Sequence, residues 1–307
     1  MTDNHAFGRE DAEALVPLLR AWWETAARDL PWRGEGESAW GVLVSEVMSQ
    51  QTPMSRVVPY WTDWMRRWPT PGSCAAASKA EILTAWGNLG YPSRALRLRA
   101  CAQTVVERFG GSVPQDYGDL VSLPGVGRYT ASAVLSFAFG KRVAVVDTNI
   151  RRVVSRAFDG GESIGGATTK ADLVRAVELL PREDGDSVVW NQTLMEIGAT
   201  VCTSSTPRCG TCPLAGVCRW KRAGYPGMGA ARTRSAQKWK GTDRQVRGIV
   251  LKALRRQAKD GVARPRLAPD DLEALWPDSG QLRACVAALD ADGLVAIGRD
   301  GGVTFPD

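Results

Sequence analysis

The stretch LPGVGRYTA, Leu123–Ala131, decides the fold of this chain. It lies between two amphipathic patterns of helical period, and the second pattern, RYTASAVLSFAFG, carries an apolar face. Gly125 and Gly127 let the turn between the helices bend tightly, so that the N–H groups of Gly125, Val126 and Gly127 converge at a helix N-terminus. Such N–H groups bind an anion, and the backbone phosphate of a nucleic acid is their natural ligand. A single Gly-x-Gly also fits an ordinary turn between two helices, so the choice depends on the rest of the chain.

The composition favours a protein of the cytosol with a polyanionic partner. The 307 residues carry 39 Lys+Arg against 33 Asp+Glu, a net charge of +6. No apolar run reaches transmembrane length and the N-terminus is polar and acidic, so the sequence predicts a cytoplasmic location and no membrane partner. The only histidine is His5, which leaves carboxylates, tyrosine or a cofactor to carry out any chemistry.

The sequence changes character twice along its length. From about residue 10 to 222 the pattern is helical, without a repeat. Residues 223–240 are basic, contain several glycines and have few apolar side chains, which is typical of a solvated linker. Residues 241–307 predict three helices and then a hairpin in LVAIGRDGGVTF, a small winged-helix-like α+β domain. The basic first helix of that domain either contacts phosphate or is simply a solvated face.

Four cysteines form the strongest chemical signal. Cys202, Cys209, Cys212 and Cys218 follow the spacing C-x6-C-x2-C-x5-C. Thiolates this close together repel one another unless a cation binds them, so the spacing predicts a metal site. Zinc sites usually pair two short knuckles, whereas one C-x2-C flanked by two longer arms suits the four corners of a cluster. The spacing therefore favours one [4Fe–4S] cluster over zinc.

Two carboxylates are candidates for catalysis. Glu46, in ESAWGVLVSEVMSQQT, lies beside the apolar stripe of a predicted helix, where it either lines a groove or is solvated. Asp147, in VAVVDTNIRRVV, precedes a helix, which predicts an N-cap whose carboxylate stays ionised. A Glu that can be protonated and a fixed anionic Asp form the pair that breaks glycosidic bonds.

Taken together, these motifs resemble the MutY adenine DNA glycosylases of the helix-hairpin-helix superfamily. The resemblance covers about residues 10–222 and rests on LPWR, SEVMSQQT, LGYPSRA, LPGVGRYTASAV, VDTNIRRV, WNQTLMEIGATVC and the cysteine loop. It implies a mainly α catalytic domain over 1–222, with a six-helix module at about 29–138 and an iron–sulfur cluster module formed by about 1–28 and 139–222. It also implies DNA bound between these modules, with a monovalent cation at the hairpin.

The resemblance implies how the two carboxylates act. Glu46 would be the general acid that protonates adenine N7, and later the base for water, because adenine is a poor leaving group until its ring is protonated. Asp147 would stabilise, or transiently bond, C1′ of the sugar, with Asn149 positioning groups beside it. The target base must first be flipped out of the duplex.

Two further groups of residues match family positions that contact bases. The residues expected to line the adenine pocket are Trp32, Arg33 and Glu196. The residues expected around the opposite base, where they substitute for the stacking that base flipping disrupts, are Gln51, Tyr91 and Thr52. Ser49 precedes Gln50 and Gln51, at a position where the family usually has Leu. The group of residues around the opposite base therefore lacks that apolar side chain.

Tyr129 sets the reaction type that the resemblance implies. Related endonuclease III-type enzymes have a lysine at this position, which attacks C1′ as a Schiff-base nucleophile and then cleaves the strand. A tyrosine cannot form that imine. The chain is therefore expected to be a monofunctional glycosylase that releases the base and leaves an abasic site.

The C-terminal residues depart from the family pattern. Typical members carry a Nudix-like domain whose Phe-Ser-His loop recognises 8-oxoguanine, whereas residues 241–307 are too short and contain no histidine. The expected partner is still double-stranded DNA with adenine opposite 8-oxoguanine or guanine, bound by a monomer at the nucleoid. Two other interpretations are a thymine glycosylase acting on G·T mismatches and a non-enzymatic iron–sulfur DNA-binding regulator. Glu46 argues against the first, because thymine has no N7 to protonate.

Overall fold

The protein is described from a computed structural model that covers residues 6–34, 36–162, 166–228 and 239–307. His5 and most of the predicted linker 223–240 lie outside the described residues. The chain divides into two compact units. Unit 1 comprises Met1–Leu43, Gln115–Val121 and Val126–Arg232, and unit 2 comprises Val44–Pro114, Ser122–Gly125 and Thr233–Asp307. None of the helices in the described ranges has the length and hydropathy that a membrane span requires.

Helices make up most of the described residues. The first nine are α1 (Arg9–Ala26), α2 (Ala39–Ser49), α3 (Met54–Arg67), α4 (Pro71–Ala76), α5 (Lys79–Trp86), α6 (Ser93–Phe109), α7 (Tyr117–Ser122), α8 (Arg128–Phe137) and α9 (Thr148–Val154). The next six are α10 (Lys170–Leu179), α11 (Asp184–Thr200), α12 (Arg219–Arg222), α13 (Asp243–Lys259), α14 (Pro269–Glu273) and α15 (Ser279–Ala291). The strands are β1 (Arg266–Leu267), β2 (Ala296–Ile297) and β3 (Val303–Thr304). Short turns of 3-10 helix cover Pro31–Arg33 and Cys209–Thr211, and a π-helical turn, Ser155–Asp159, continues α9.

Local sequence explains where several of these helices begin and end. The hydroxyl of Ser78 accepts a hydrogen bond from the N–H of Glu81 at 3.2 Å, and the Glu81 carboxylate accepts from the N–H of Ser78 at 2.8 Å. This reciprocal capping box satisfies two backbone donors at the start of α5. Gly110 ends α6 in the left-handed conformation, φ 61°, which costs glycine nothing.

The core of unit 1 is built on α1, α9 and α11, which pack against one another. Phe158 lies at its centre and is fully buried. Its ring stacks on Phe7 at 4.3 Å between centroids and on Trp190 at 5.5 Å. These contacts fix the π-helical turn that follows α9 and the middle of α11. Helices α9 and α11 carry the polar groups described below.

The core of unit 2 contains a tryptophan cluster. Trp64 of α3 is fully buried and makes edge contacts with Trp68 at 4.6 Å and Trp86 at 5.8 Å. Helix α6 packs along α4 and α5. The loop between α5 and α6, which contains Tyr91, therefore starts and ends on packed helices.

Residues 241–307, the C-terminal module, have the element order α13–β1–α14–α15–β2–β3. Their antiparallel sheet has the order β1–β3–β2, with Val303 opposite both Leu267 and Ile297. This is the winged-helix arrangement that the sequence predicted, with β1 as an addition. The two residues of β1 are too short to give an alternating pattern.

Arg255 ties this module to α5 within unit 2. It is 8% exposed, and its Nε donates to the backbone carbonyl of Leu83 at 3.0 Å. Burial lowers the pKa of Arg255 to about 10, partly offset by Tyr60. The guanidinium stays charged at neutral pH, so a buried cation anchors α13 to the helices before it.

Candidate active site

Asp147 is the N-cap of α9, as the sequence predicted. Its Oδ1 accepts from the N–H of Ile150 at 2.7 Å, and its Oδ2 accepts from the side-chain amide of Asn149 at 2.8 Å. Burial raises the pKa of Asp147 above its ordinary value, although these hydrogen bonds and the nearby Arg152 charge oppose the rise. The carboxylate is thus held in one orientation in a poorly solvated place.

Arg152 connects this carboxylate to the cysteine loop. It donates to Asn149 Oδ1 at 2.8 Å, to the carbonyl of Gly198 at 2.6 Å and to the carbonyl of Cys202 at 2.6 Å. The sequence did not predict a role for Arg152. A clue was present, because an arginine within the apolar VDTNIRRV segment has to find acceptors if it is buried.

Gly198 allows α11 to approach Asn149 closely. A Cβ at position 198 would lie 2.6 Å from the Cβ of Asn149 and 2.8 Å from its carbonyl oxygen. Only glycine fits this contact. Asn149 is therefore positioned by backbone packing on one side and by Arg152 on the other.

The four predicted metal ligands converge in unit 1. Cys202, Cys209, Cys212 and Cys218 form no disulfide and line one cavity, together with Arg156 and Lys221. Burial, together with the charges of the other three cysteines, raises the pKa of Cys212 to about 12, although a hydrogen bond with the backbone of Leu214 opposes the rise. Four sulfurs that disfavour one another's ionisation need a cationic group to become thiolates, so the donor set fits an iron-containing cluster.

The arrangement of the sulfurs also bears on the choice between zinc and a cluster. No set of three or more His, Cys, Asp or Glu side chains in the described ranges is arranged to hold a single metal ion. Besides the cysteines and the basic residues Arg156 and Lys221, the cavity is lined by apolar side chains that include Val153, Ile197 and Leu214. A cavity lined by four cysteines and several apolar side chains suits a polynuclear cluster.

Glu196 is fully buried in an ion-pair network of unit 1. Its Oε1 accepts from Arg28 Nε at 2.6 Å, and its Oε2 accepts from Arg28 at 2.9 Å and from Arg33 at 2.9 Å. Burial opposes the shift, but the two arginines lower the pKa of Glu196 below its ordinary value. Arg28 was missed from the sequence, although a glutamate inside the apolar α11 pattern requires a cation.

Three further predicted site residues of unit 1 are Trp32, Arg33 and Tyr129. Trp32 is buried in the 3-10 turn, and Arg33 lies over the ring of Trp23 at 4.7 Å from the centroid. Tyr129, in the first turn of α8, is partly buried and packs against the core of unit 1. The packed first turn of α8 therefore fixes the position of the Tyr129 side chain.

The hairpin turn bends at Gly125 as predicted, whereas the backbone of Gly127 is extended. Helix α7 ends at Ser122 and α8 begins at Arg128. Gly125 has φ 79°, and a Cβ there would lie 3.2 Å from the Cβ of Arg97. Val126 is buried, whereas Gly127 is exposed and is the N-cap of α8. The turn thus presents backbone rather than side chains.

Glu46 lies in α2 and is 8% exposed. The helical pattern left open whether it lines a groove or is solvated, and the structure excludes the solvated alternative. The carboxyl group of Glu46 is therefore shielded from bulk water. Its neighbours Val47 and Met48 are also buried, whereas Ser49 at the end of α2 is half-buried.

Gln51 and Tyr91 share an unusual backbone conformation. Their φ angles are 55° and 47°, in the left-handed region that non-glycine residues rarely adopt. Both side chains are exposed, Tyr91 by 51%. Thr52 is buried instead, and its hydroxyl donates to the carbonyls of Gln50 at 3.2 Å and Leu89 at 3.4 Å.

Arg94 holds these two strained positions in place. Its guanidinium is buried and donates to the carbonyls of Val47 at 2.9 Å, Gln50 at 2.6 Å and Gly90 at 3.1 Å. The same side chain caps the end of α2 and fixes the loop that carries Tyr91. Sequence reasoning missed it, because its partners are backbone carbonyls far away in the sequence.

Comparison with known proteins identifies the family. The adenine DNA glycosylase of Mycolicibacterium smegmatis is 48% identical over 284 residues, which are 92% of this chain and 93% of that protein. That of Mycobacterium tuberculosis is 47% identical over 289 residues, 94% of this chain and 92% of that protein. The chain belongs to the adenine DNA glycosylase family. The human adenine DNA glycosylase is 43% identical over 227 residues, 70% of this chain and 41% of the human protein.

Two family models match parts of this adenine DNA glycosylase family member. The HhH-GPD superfamily base excision DNA repair protein model matches residues 44–178. The iron-sulfur binding domain of endonuclease III matches residues 202–218, from the first ligand cysteine to the last. The predicted iron–sulfur cluster is thereby confirmed.

Solved structures support the fold of this member of the adenine DNA glycosylase family. A thermostable thymine-DNA glycosylase has a TM-score of 0.62 at 29% identity, over 69% of this chain and 98% of that chain. Endonuclease III in a non-covalent DNA complex has a TM-score of 0.58 at 22% identity, over 71% of this chain and 98% of that chain. The predicted helix-hairpin-helix fold is confirmed, and membership of the family confirms the predicted class of DNA N-glycosylase with DNA as its partner.

Proposed function

We propose that the protein excises adenine paired with 8-oxoguanine or guanine in DNA, as a monofunctional glycosylase of base excision repair. The observation that carries the proposal is the carboxylate of Asp147, which the N–H of Ile150 and the amide of Asn149 hold in one orientation. A fixed anion beside the sugar of a flipped nucleotide stabilises the positive charge that develops as the glycosidic bond breaks.

Glu46 is the proposed general acid. It donates a proton to N7 of adenine, so that the base leaves as a neutral molecule, and then accepts a proton from the attacking water. Its burial at the end of α2 supports this role, because bulk water does not compete for the proton. Tyr129 carries no amine, so no imine with the sugar forms and the strand stays intact.

The base contacts are proposals of the same kind. Trp32 and Arg33 form part of the adenine pocket, where Glu196 acts mainly by fixing the guanidinium of Arg33. Gln51 and Tyr91 insert around the opposite base, and Thr52 supports them through the loop. The side chains of Gln51 and Tyr91 are exposed and their backbone is strained, which supports this assignment.

The remaining parts complete the proposed enzyme. The N–H groups of Gly125, Val126 and Gly127 bind a DNA phosphate with a monovalent cation, and the cysteine loop holds one [4Fe–4S] cluster, which would provide a rigid support for that loop. Residues 1–222 form the catalytic domain, with the six-helix and cluster modules divided near residues 28 and 138. The protein acts as a monomer on nucleoid DNA.

Single-turnover base release tests the proposal. Duplexes carry adenine opposite 8-oxoguanine, guanine, cytosine or thymine, and a further duplex carries thymine opposite guanine. We expect adenine release opposite 8-oxoguanine and guanine, without strand cleavage until alkali is added. Equal rates opposite all four bases would contradict the mismatch specificity, and release of thymine would favour the thymine glycosylase. Glu46→Gln and Asp147→Asn should bind the duplex without releasing base.

A further inference from the structure

A large cavity lies inside unit 2, between the loop before α6 and the first helix of the C-terminal module. Its volume is about 1050 Å³. One wall contains Gln51, Arg56 and the segment 87–93, and the other wall is the face of α13 that runs from Arg244 to Arg255. The C-terminal module therefore faces the two residues assigned to the opposite base.

The charged side chains that line this cavity are all basic. Arg56, Arg244 and Lys252 line it and are exposed. Arg247 also lines it and pairs with Asp292, while Arg255 is occupied by its contact with α5. Among the lining residues that the structure describes, none is acidic. A space of this size bordered by cations attracts a polyanion.

Gly248 stands in the middle of α13 and lines the same cavity. A glycine inside a helix costs about 1 kcal/mol relative to alanine. At Gly198 that cost has a packing reason, because a Cβ would collide with Asn149. At Gly248 a Cβ would meet no heavy atom of the described residues within 4 Å. The absence of a side chain at Gly248 therefore widens the cavity and is not required by packing within the protein.

Aromatic side chains give the cavity a second chemical character. Tyr91 is 51% exposed on one side, and Trp239 is 55% exposed and also lines the space. Exposed aromatic rings next to cations are the surface on which nucleic acid strands bind, since bases stack on the rings and phosphates pair with the cations. The left-handed backbone conformation at Gln51 and Tyr91 fixes the directions of these two side chains before any ligand binds.

We propose that α13 binds the DNA strand that carries the partner base of the target adenine. Arg244 and Lys252 contact phosphates of that strand. Because Gly248 has no side chain, the backbone of the DNA strand passes close to α13. The inference rests on the proposed function, because that function puts the partner base at Gln51 and Tyr91. It gives the C-terminal module a role through α13, rather than through the recognition helix and wing that winged-helix modules commonly use, here α15 and the β2–β3 hairpin.

The first test measures the salt dependence of DNA binding by the full-length protein. The probe is a duplex with 2′-fluoro-2′-deoxyadenosine, which resists base release, opposite 8-oxoguanine. The variant Arg244→Ser/Lys252→Ser should weaken binding and lower the slope of log Kd against log salt by about 2, roughly one for each phosphate contact removed. The matched control Arg283→Ser/Arg299→Ser removes two exposed arginines from α15 and the hairpin and should leave the slope unchanged. The opposite pattern would overturn the proposal in favour of α15 and the hairpin.

A second measurement identifies the strand. Uncharged methylphosphonates replace phosphates either on the partner strand or on the adenine strand. On the partner strand, the loss of affinity should be smaller in Arg244→Ser/Lys252→Ser than in the wild type, because the same contact is already absent. Coupling to the adenine strand alone would contradict the assignment.

Gly248 provides an independent test. Gly248→Ala and Gly248→Leu should both raise the Tm, because both residues favour helix more than glycine. Gly248→Leu should also bind the probe duplex more weakly, whereas Gly248→Ala should lose much less affinity. Wild-type affinity of Gly248→Leu would show that no strand passes close to the helix.

Base release by the wild-type protein separates the two failures. If it releases no adenine from any duplex, the proposed function is wrong. If it releases adenine opposite 8-oxoguanine while the Arg244 and Lys252 variant keeps the wild-type salt slope, only the role of α13 is wrong.

Discussion

Arg152 donates from its Nε to the backbone carbonyl of Cys202 at 2.6 Å. The same guanidinium donates to Asn149, and the amide of Asn149 donates to Asp147. Cys202, a proposed ligand of the iron–sulfur cluster, and the proposed catalytic carboxylate of Asp147 are therefore joined through consecutive hydrogen bonds. The position of Asp147 depends on the conformation of the cysteine loop, even though the cluster takes no part in the chemistry proposed here.

Arg152→Lys tests this connection. A lysine keeps the charge but cannot reach Asn149, Gly198 and Cys202 together. We expect base release to slow by about 100-fold, the scale of a small misplacement of a catalytic group, while DNA binding persists. The control is Arg151→Lys, because Arg151 is also buried but donates to Gly166 and Ala167 instead. A variant with the wild-type rate and an intact cluster absorbance would show that the connection is dispensable.

Asp147→Asn should separate stability from activity. Burial raises the pKa of Asp147, so the ionised form is less favourable in the folded than in the unfolded chain. The contribution of Asp147 to the free energy of unfolding therefore falls as pH rises from the ordinary value of 3.8 through the raised pKa. Asparagine also caps helices. We expect the variant to be at least as stable as the wild type at pH 7 and to lose that advantage below pH 3.8, as measured by urea unfolding.

Gly198→Ala should disturb the site through packing alone. The added Cβ would lie 2.6 Å from the Cβ of Asn149, so α9 or α11 has to shift. We expect a loss of about 1–3 kcal/mol in the free energy of unfolding and slower base release. Gly185→Ala is the control in the same helix, since a Cβ there meets no described atom within 4 Å. Equal Tm changes in the two variants would argue against a tight contact at Gly198.

Arg94→Lys should loosen the surface that contacts the opposite base. Lysine cannot satisfy the carbonyls of Val47, Gln50 and Gly90 at once, so the left-handed turns at Gln51 and Tyr91 lose their support. We expect the preference for 8-oxoguanine over cytosine opposite adenine to fall, as measured by base release rates. Arg99→Lys is the control, because Arg99 in the same helix donates to Ala77 instead. A retained preference would mean that Arg94 serves stability only.

Local patterns in the sequence predicted several parts of this structure. The hairpin, the N-cap at Asp147 and the cysteine loop depend on residues close together in the sequence, and those interactions can be inferred from residue type and spacing. Family resemblance added the enzyme class. The burial of Glu46 was left open, because helical periodicity places a residue on a face but does not show what packs against that face.

Interactions over long sequence separations were not predictable in the same way. Arg94 and Arg152 are buried and Arg28 is half-buried, and each binds groups more than 40 residues away. Backbone carbonyls are the main acceptors of Arg94 and Arg152, and any residue can supply one. The cavity beside α13 escaped prediction for the same reason, since its two walls come from segments about 150 residues apart.

The contact of Arg255 with Leu83 makes the C-terminal module part of a larger folding unit. A chain cut before residue 241 would lose the donor to that carbonyl and would expose the surface of α5 to solvent. The module and residues 44–114 should therefore unfold in one transition, with similar amide hydrogen-exchange protection in α5 and α13. Point substitutions in the full-length protein, rather than truncation, are the way to separate what the module binds from what it stabilises.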